Sequence, residues 1–188
     1  MLTIPSGSQV IIPGVLFIYR NFMANVPGSL LFNETGAHLK ETASGTRGMA
    51  RYGAPYTYKG RPLPAFPFTP FLQRLQVGLQ WVLNVPFNAA VVNRYRDGGQ
   101  SVPPHSDSTA IPQLGKQPVI AGLSFGSTRD FVMCGLKKSS TPVIIPVSHG
   151  DLYVMYGQSQ SHYRHSVPAV STPVGPRWSV TFRHHVTV

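Results

Sequence analysis

A chain of 188 residues with a single cysteine, Cys134, admits no intramolecular disulfide and no cysteine-rich metal site, and its length suits one domain with a sizeable core. Sixteen Lys and Arg against six Asp and Glu give a formal charge of +10, which favours a polyanionic partner, nucleic acid ahead of an anionic membrane surface. The longest apolar run, Val10 to Tyr19, is broken by Pro13 and Gly14 and is too short to span a bilayer. No basic residue precedes it, so it makes a poor signal peptide, and an intracellular setting is expected.

In chain order, residues 5–20 read as a strand and turn, and residues 21–40 as a mixed segment with a short helix. Residues 42–70 read as loop, rich in Gly, Pro and Tyr and basic. The spacing of Leu72, Leu75, Leu79 and Val82 predicts a helix over 70–83, with Pro70 at its start. Beyond Pro86 short β-branched or aromatic runs alternate with turns: 88–95, 118–126, 129–134, 142–147, 151–156, 162–167 and 177–186. Strands at this spacing predict a sandwich, jelly roll or barrel, supported by a helix-containing amino-terminal part. There is no internal repeat and no low-complexity tract.

The chemistry begins at "VVNRYRDGGQSVPPHSD", residues 91–107. On extended backbone, residues two apart point the same way, so His105 and Asp107 converge. One further His would complete a two-His, one-carboxylate face, which leaves three positions open on an iron(II) ion. Alone, H-x-D is common by chance, and a hydrogen-bonded His–Asp pair on a loop is then the better reading. His149, His162 and His165, in "SHGDLYVMYGQSQSHYRHSVP", are the candidate third ligands. Alternation sets His165 with Tyr163 on one face and His162 with Arg164 on the other; spacing does not choose between them.

The strand "RWSVTFR" turns Trp178, Val180 and Phe182 to one side and Arg177, Ser179, Thr181 and Arg183 to the other. The second face suits a dicarboxylate, since Arg grips a carboxylate through two parallel hydrogen bonds; a solvated outer face is the competing reading. Asn93 and Tyr95 likewise share one face.

These motifs in order, "NRYRDGG", "PHSD", "GLSFGSTRDFVM", "SHGDLYVM", "HYRHSVP" and "RWSVTFR", resemble the AlkB family of iron(II)- and 2-oxoglutarate-dependent nucleic-acid demethylases. The resemblance covers about residues 88–184 and extends loosely to "ARYGAPYTYKG" at 50–60. It implies a mainly β (α+β) fold: a double-stranded β-helix, or jelly-roll, core over 88–188, with residues 1–87 as support and nucleotide-recognition lid. It implies His105, Asp107 and His165 as catalytic iron ligands. It implies Asn93, Tyr95, Arg177, Ser179, Thr181 and Arg183 at 2-oxoglutarate, with Arg177 on the far carboxylate and Arg183 near the chelating end and Asp107. Ser179 stands where many members carry Asn. The implied reaction uses Fe(II), 2-oxoglutarate and O2 to oxidise an N-methyl group of a base, which leaves as formaldehyde beside succinate and CO2.

The target base leaves its stack to reach such a site. Tyr52, Tyr56 and Tyr58 lie among Arg47, Arg51, Lys59 and Arg61, aromatics to stack on bases and cations to hold phosphates. By resemblance Tyr58 is the stacking residue and Tyr56 a neighbouring contact; a tyrosine-rich structural loop is the bland alternative. Lys137 and Lys138 add a basic turn. Thr109 stands where many members carry an acidic residue facing a cationic methylated base, and its hydroxyl supplies no charge balance. Methylated DNA or RNA, single-stranded, is therefore the expected partner of a monomer. A hydroxylase acting on a non-nucleic-acid substrate and a non-catalytic nucleic-acid-binding module are the alternatives. The complete ligand set and both arginines speak against the second.

Overall fold

Two β-sheets face one another, and a helical layer covers the outer side of the larger sheet. The computed structural model describes residues 1–58, 60–107, 112–137 and 139–186. In chain order the elements are β1 (Gln9–Ile12), β2 (Leu16–Tyr19), α1 (Ser29–Thr35), β3 (Lys40–Glu41), β4 (Gly48–Gly53), β5 (Tyr56–Tyr58) and β6 (Arg61–Leu63). They continue as α2 (Pro70–Leu83), β7 (Ala89–Tyr95), β8 (Val102–His105), β9 (Ile120–Gly126), β10 (Arg129–Gly135) and β11 (Val143–Val147). The last are β12 (Leu152–Met155), α3 (Ser159–His162), β13 (Tyr163–Val167) and β14 (Arg177–Arg183).

The large sheet runs β1-β2-β12-β9-β14-β7-β4-β3 and the small one β11-β10-β13-β8, with β5–β6 a separate hairpin. All registered pairs are antiparallel. This is a double-stranded β-helix with helices on one flank.

Alternation along the central strands sorts side chains into two cores. Leu152 and Val154 of β12, with Val180 and Phe182 of β14, face the helices and join Leu72, Leu75, Leu79 and Leu83 of α2. Tyr153 and Met155 face the small sheet and meet Phe131, Met133 and Val167. Each buried leucine of α2 contributes about 1.5–3 kcal/mol. The helix starts where Thr69 Oγ1 accepts from Leu72 N at 3.3 Å, with Pro70 in its first turn, and stops at left-handed Asn84.

Two expectations fail here. Residues 42–70 are not loop: β4 pairs along β7, and β5 with β6 form a separate hairpin. Gly and Pro hide these strands because their pairing is decided by neighbours remote in sequence. Gly53 shows why glycine is needed: at φ +79° its backbone approaches Asn88 so closely that a Cβ would lie 2.2 Å from the carbonyl oxygen. The strand β8, "VPPH", also escapes sequence reading; it lies at the edge of the small sheet, where proline is tolerated.

Candidate active site

His105 ends β8 and His165 lies on β13, and the two strands pair with these residues directly opposite. The imidazole centres are 4.3 Å apart. Asp107 follows on the loop after β8. Its Oδ1 lies 3.4 Å from His105 Nε2 and 3.9 Å from His165 Nε2, and one ligand atom from each residue falls within a 4.8 Å span. The structure therefore brings His105, Asp107 and His165 together. His149 is used elsewhere: its Nδ1 accepts from Gly126 N and its Nε2 meets Ala24 O. His162 ends α3 and is exposed.

Two members of the cluster, His105 and Asp107, are held from behind, whereas His165 Nδ1 is buried without a hydrogen-bond partner among the described residues. His105 Nδ1–H donates to Pro103 O at 2.9 Å, which leaves Nε2 for the Asp107 side. Gln160, on the single turn of α3, accepts from the Asp107 amide at 2.8 Å. Arg183 Nε and Nη2 both donate to Asp107 Oδ2, at 3.0 and 2.6 Å. Burial pushes the Asp107 carboxyl up, but Arg183, with His105 and His165, outweighs it and holds the group well below the usual carboxylate range. Burial pushes His165 down to about 3, against the pull of Asp107, so its imidazole is neutral and able to ligate.

The strands that carry the other predicted residues lie side by side. In the β7–β14 ladder Tyr95 faces Arg177, Asn93 faces Ser179 and Val91 faces Thr181. Directly opposite residues point to the same side of a sheet, here toward the small sheet. Arg177, Ser179, Thr181 and Arg183 are all buried, which rules out a solvated outer face. Arg177 Nε donates to Ser124 Oγ at 3.0 Å, while its Nη1 and Nη2 are buried with no partner among the described residues. Its Cζ lies 5.3 Å from the Tyr95 ring centre. Ser179 Oγ meets the Tyr153 hydroxyl at 3.1 Å, and Thr181 Oγ1 takes a bond from Arg183 Nη1.

A cavity of about 270 Å³ joins these parts. His105, Asp107 and His165 line it with Asn93, Tyr95, Ser179, Thr181 and Arg183, and Arg51 of β4 and Tyr56 and Tyr58 of β5 line its other side. Arg51 Nε donates to the Tyr56 hydroxyl at 3.1 Å, and the Tyr56 ring meets His185 edge-on, so Tyr56 is braced; Tyr58 is 42% exposed. Thr109 and Lys138, predicted substrate contacts, lie outside the described residues, as does Lys59.

A family model described as the 2OG-Fe(II) oxygenase superfamily matches residues 29–183. The chain belongs to that superfamily. Within it, the curated relatives place the chain in the AlkB family. It is 33% identical to the human DNA oxidative demethylase ALKBH2 over 138 residues, covering 70% of this chain and 52% of that one. It is 36% identical to human alpha-ketoglutarate-dependent dioxygenase alkB homolog 3 over 162 residues, covering 79% and 55%. It is also 30% identical over 129 residues to an uncharacterised protein, R406, of Acanthamoeba polyphaga mimivirus, covering 67% and 64%. The chain thus spans about half the length of the human relatives it matches. The structure of OsALKBH1 superposes with a TM-score of 0.69 at 16% identity, covering 94% of this chain and all of that one, a likeness of fold.

The residues present fit the iron and 2-oxoglutarate of a 2OG-Fe(II) oxygenase. Two imidazole nitrogens and a carboxylate oxygen converge on one point, as divalent iron requires. Behind Tyr95, off the cavity wall, the two Arg177 Nη atoms are buried without a partner among the described residues, a want that a carboxylate would meet. Sequence reading missed several members of this site. Tyr153 was legible, since alternation in "DLYVM" sets it opposite Leu152 and Val154. Gln160 gave no signal, and Arg47 was read only as a phosphate-holding cation, because their contacts with Asp107 and Asn93 reach across 53 and 46 residues.

Proposed function

We propose that this AlkB-family chain oxidatively removes N-alkyl groups, such as those of 1-methyladenine and 3-methylcytosine, from bases in DNA or RNA. It consumes 2-oxoglutarate and O2 with Fe(II) and releases succinate, CO2 and formaldehyde. One observation carries the reading: a single cavity is lined both by the His105–Asp107–His165 cluster and by Arg51, Tyr56 and Tyr58. A cofactor site and a rim of aromatic and basic groups then belong to one chamber.

When bound, the iron supplies O2 activation coupled to decarboxylation of the 2-oxoglutarate. The chain's own residues do the rest. His105, Asp107 and His165 hold the metal from one side, and Arg183 fixes Asp107 so that Oδ1 faces the two imidazoles. Asn93, Tyr95, Ser179 and Thr181, with Arg177 behind Tyr95, receive the 2-oxoglutarate. Tyr58 stacks on the extruded base, Tyr56 and Arg51 border it, and Thr109 and Lys138 contact base and backbone. Residues 1–87 serve as support and lid and 88–188 as core of one domain, which acts as a monomer on single strands inside the cell. Among the described residues no helix is long and apolar enough to cross a membrane.

The test is release of formaldehyde or repaired base from single-stranded DNA and RNA oligonucleotides carrying 1-methyladenine or 3-methylcytosine, with and without iron(II) and 2-oxoglutarate. Turnover that needs both additions is expected. Succinate formation without base repair would move the substrate to other modified bases; no succinate at all would sink the reading.

A further inference from the structure

Arg47 stands just before β4, among cations that composition assigns to phosphates. Its side chain instead turns inward. Nε donates to Asn93 Oδ1 at 2.8 Å, and Arg47 lines the same cavity as Asn93 and Tyr95. A guanidinium carries only donors, so the Asn93 atom that meets it must be the oxygen. The Asn93 amide orientation is thereby fixed, and its Nδ2 hydrogens point away from Arg47.

The position is held independently of the cavity. Arg47 O accepts from Thr42 N at 2.9 Å, and neighbouring Thr46 O accepts from Ser101 N at 2.9 Å. Glu41, across the β3–β4 hairpin, takes Arg94 Nη2 at 2.9 Å and Gln100 Nε2 at 3.3 Å. The hairpin is thus tied to β7 and to the turn after it, and Arg47 reaches in from a fixed base. Arg177, by contrast, is not on the cavity wall but behind the Tyr95 ring.

We propose that Arg47 is a positioning residue for 2-oxoglutarate: it holds Asn93 with Nδ2 presented to a carboxylate oxygen of the cosubstrate. It thereby couples cosubstrate binding to the β3–β4 hairpin, whose second strand leads into the lid. This rests on the function proposed above.

The test is calorimetric titration of manganese(II)-loaded protein with 2-oxoglutarate in the absence of oxygen. It compares wild type, Arg47→Ala, Asn93→Ala and the double variant. Arg47→Ala is expected to weaken 2-oxoglutarate about tenfold while manganese affinity stays unchanged. Because Arg47 acts through Asn93, the double variant is expected to bind no more weakly than Asn93→Ala. Unchanged 2-oxoglutarate affinity in Arg47→Ala, fully additive losses, or a loss confined to oligonucleotide binding would each overturn the proposal. If the melting transition shows Arg47→Ala unfolded, Arg47→Met carries the same comparison, since it keeps an apolar stem of similar length but has no donor to fix the amide. Wild-type protein that binds no 2-oxoglutarate overturns the proposed function and this inference together; wild-type binding with an indifferent Arg47 variant overturns this inference alone.

Discussion

Asp107 and Arg183 divide the two oxygens of one carboxylate between two tasks. Oδ2 takes both hydrogen bonds from the guanidinium, at 3.0 and 2.6 Å, and Oδ1 is left facing His105 and His165. Replacing Arg183 with Gln removes the fork and frees the carboxylate to rotate. Metal affinity is expected to fall about 10- to 100-fold, read by manganese(II) titration. Arg183→Lys keeps the charge but not the paired geometry and is expected to fall between the two. Wild-type affinity in Arg183→Gln would show that the fork does not orient the ligand.

Asp107→Ala tests the metal assignment itself. Turnover is expected to drop to background while binding to a single-stranded oligonucleotide, read by fluorescence anisotropy, stays within about twofold, because phosphate contacts and not the metal dominate that affinity. Metal binding to the native fold also stabilises it, by about 2.7 kcal/mol at a hundredfold excess over Kd. Manganese should therefore raise the melting temperature of wild type and leave Asp107→Ala unmoved. A wild-type rate in the variant would refute the ligand set.

Tyr58→Ala tests the lid. With 42% of the residue exposed at the cavity mouth, the ring is placed for stacking more than for packing. Loss of a base-stacking aromatic costs about 1–3 kcal/mol. The apparent KM for oligonucleotide is expected to rise accordingly, with 2-oxoglutarate consumption in its absence unchanged. Equal effects on both would count against a recognition role.

Acid should destabilise the metal-free protein well above the carboxylate range. Burial pushes His185 down to about 4, with the charge of Arg183 adding to it, and His165 to about 3. In the unfolded chain both take a proton near the ordinary value of 6.5. Below that value the unfolded state binds more protons than the fold, so stability falls as pH falls toward the folded values. Between about pH 6.5 and 5 both imidazoles contribute to that loss. Asp107 adds nothing in that window, because its lowered value shifts stability only at more acid pH. Urea midpoints at pH 7 and 5 are expected to differ strongly in wild type and less in His185→Gln. A midpoint indifferent to pH would show that the imidazoles are not buried neutral.

Gln160→Leu should disturb the metal loop without touching a ligand. It leaves the buried Asp107 amide unpaired, at a cost of about 1–3 kcal/mol. A lowered melting temperature together with weaker manganese binding is expected. A change in stability alone would make Gln160 structural only.

Period-two alternation sufficed wherever one strand carried several members of the site. Arg177, Ser179, Thr181 and Arg183 share a face by spacing alone, and so do Asn93 and Tyr95. It failed where partners came from separate strands. His165 could not be told from His149 or His162 by spacing, and the family resemblance made that choice. Apart from the proline-bearing edge strand β8, the fold was legible from the helix over 70–83 onward, where apolar runs are long and patterned. The stretch over 42–70 was not, because β4 is a strand by virtue of β7, and Gly48 and Gly53 give its pattern no apolar signature. Arg47 was misjudged for a related reason: a basic residue beside a glycine reads as surface until the strand it precedes is seen to run beside Asn93.

The central place of β14 has a consequence for biogenesis. It pairs on both sides, with β7 and β9, yet follows both in the chain, by 82 and 51 residues counted from their last members, Tyr95 and Gly126, to Arg177. A ribosome therefore releases β7, β8, β9 and β13, and with them all three candidate iron ligands, before the strand that closes the gap between β7 and β9. Until Arg183 emerges, Asp107 has no guanidinium beside it and the nascent chain presents a split, sticky sheet. The Asp107 carboxylate therefore takes its fixed orientation only once that one seven-residue strand is inserted.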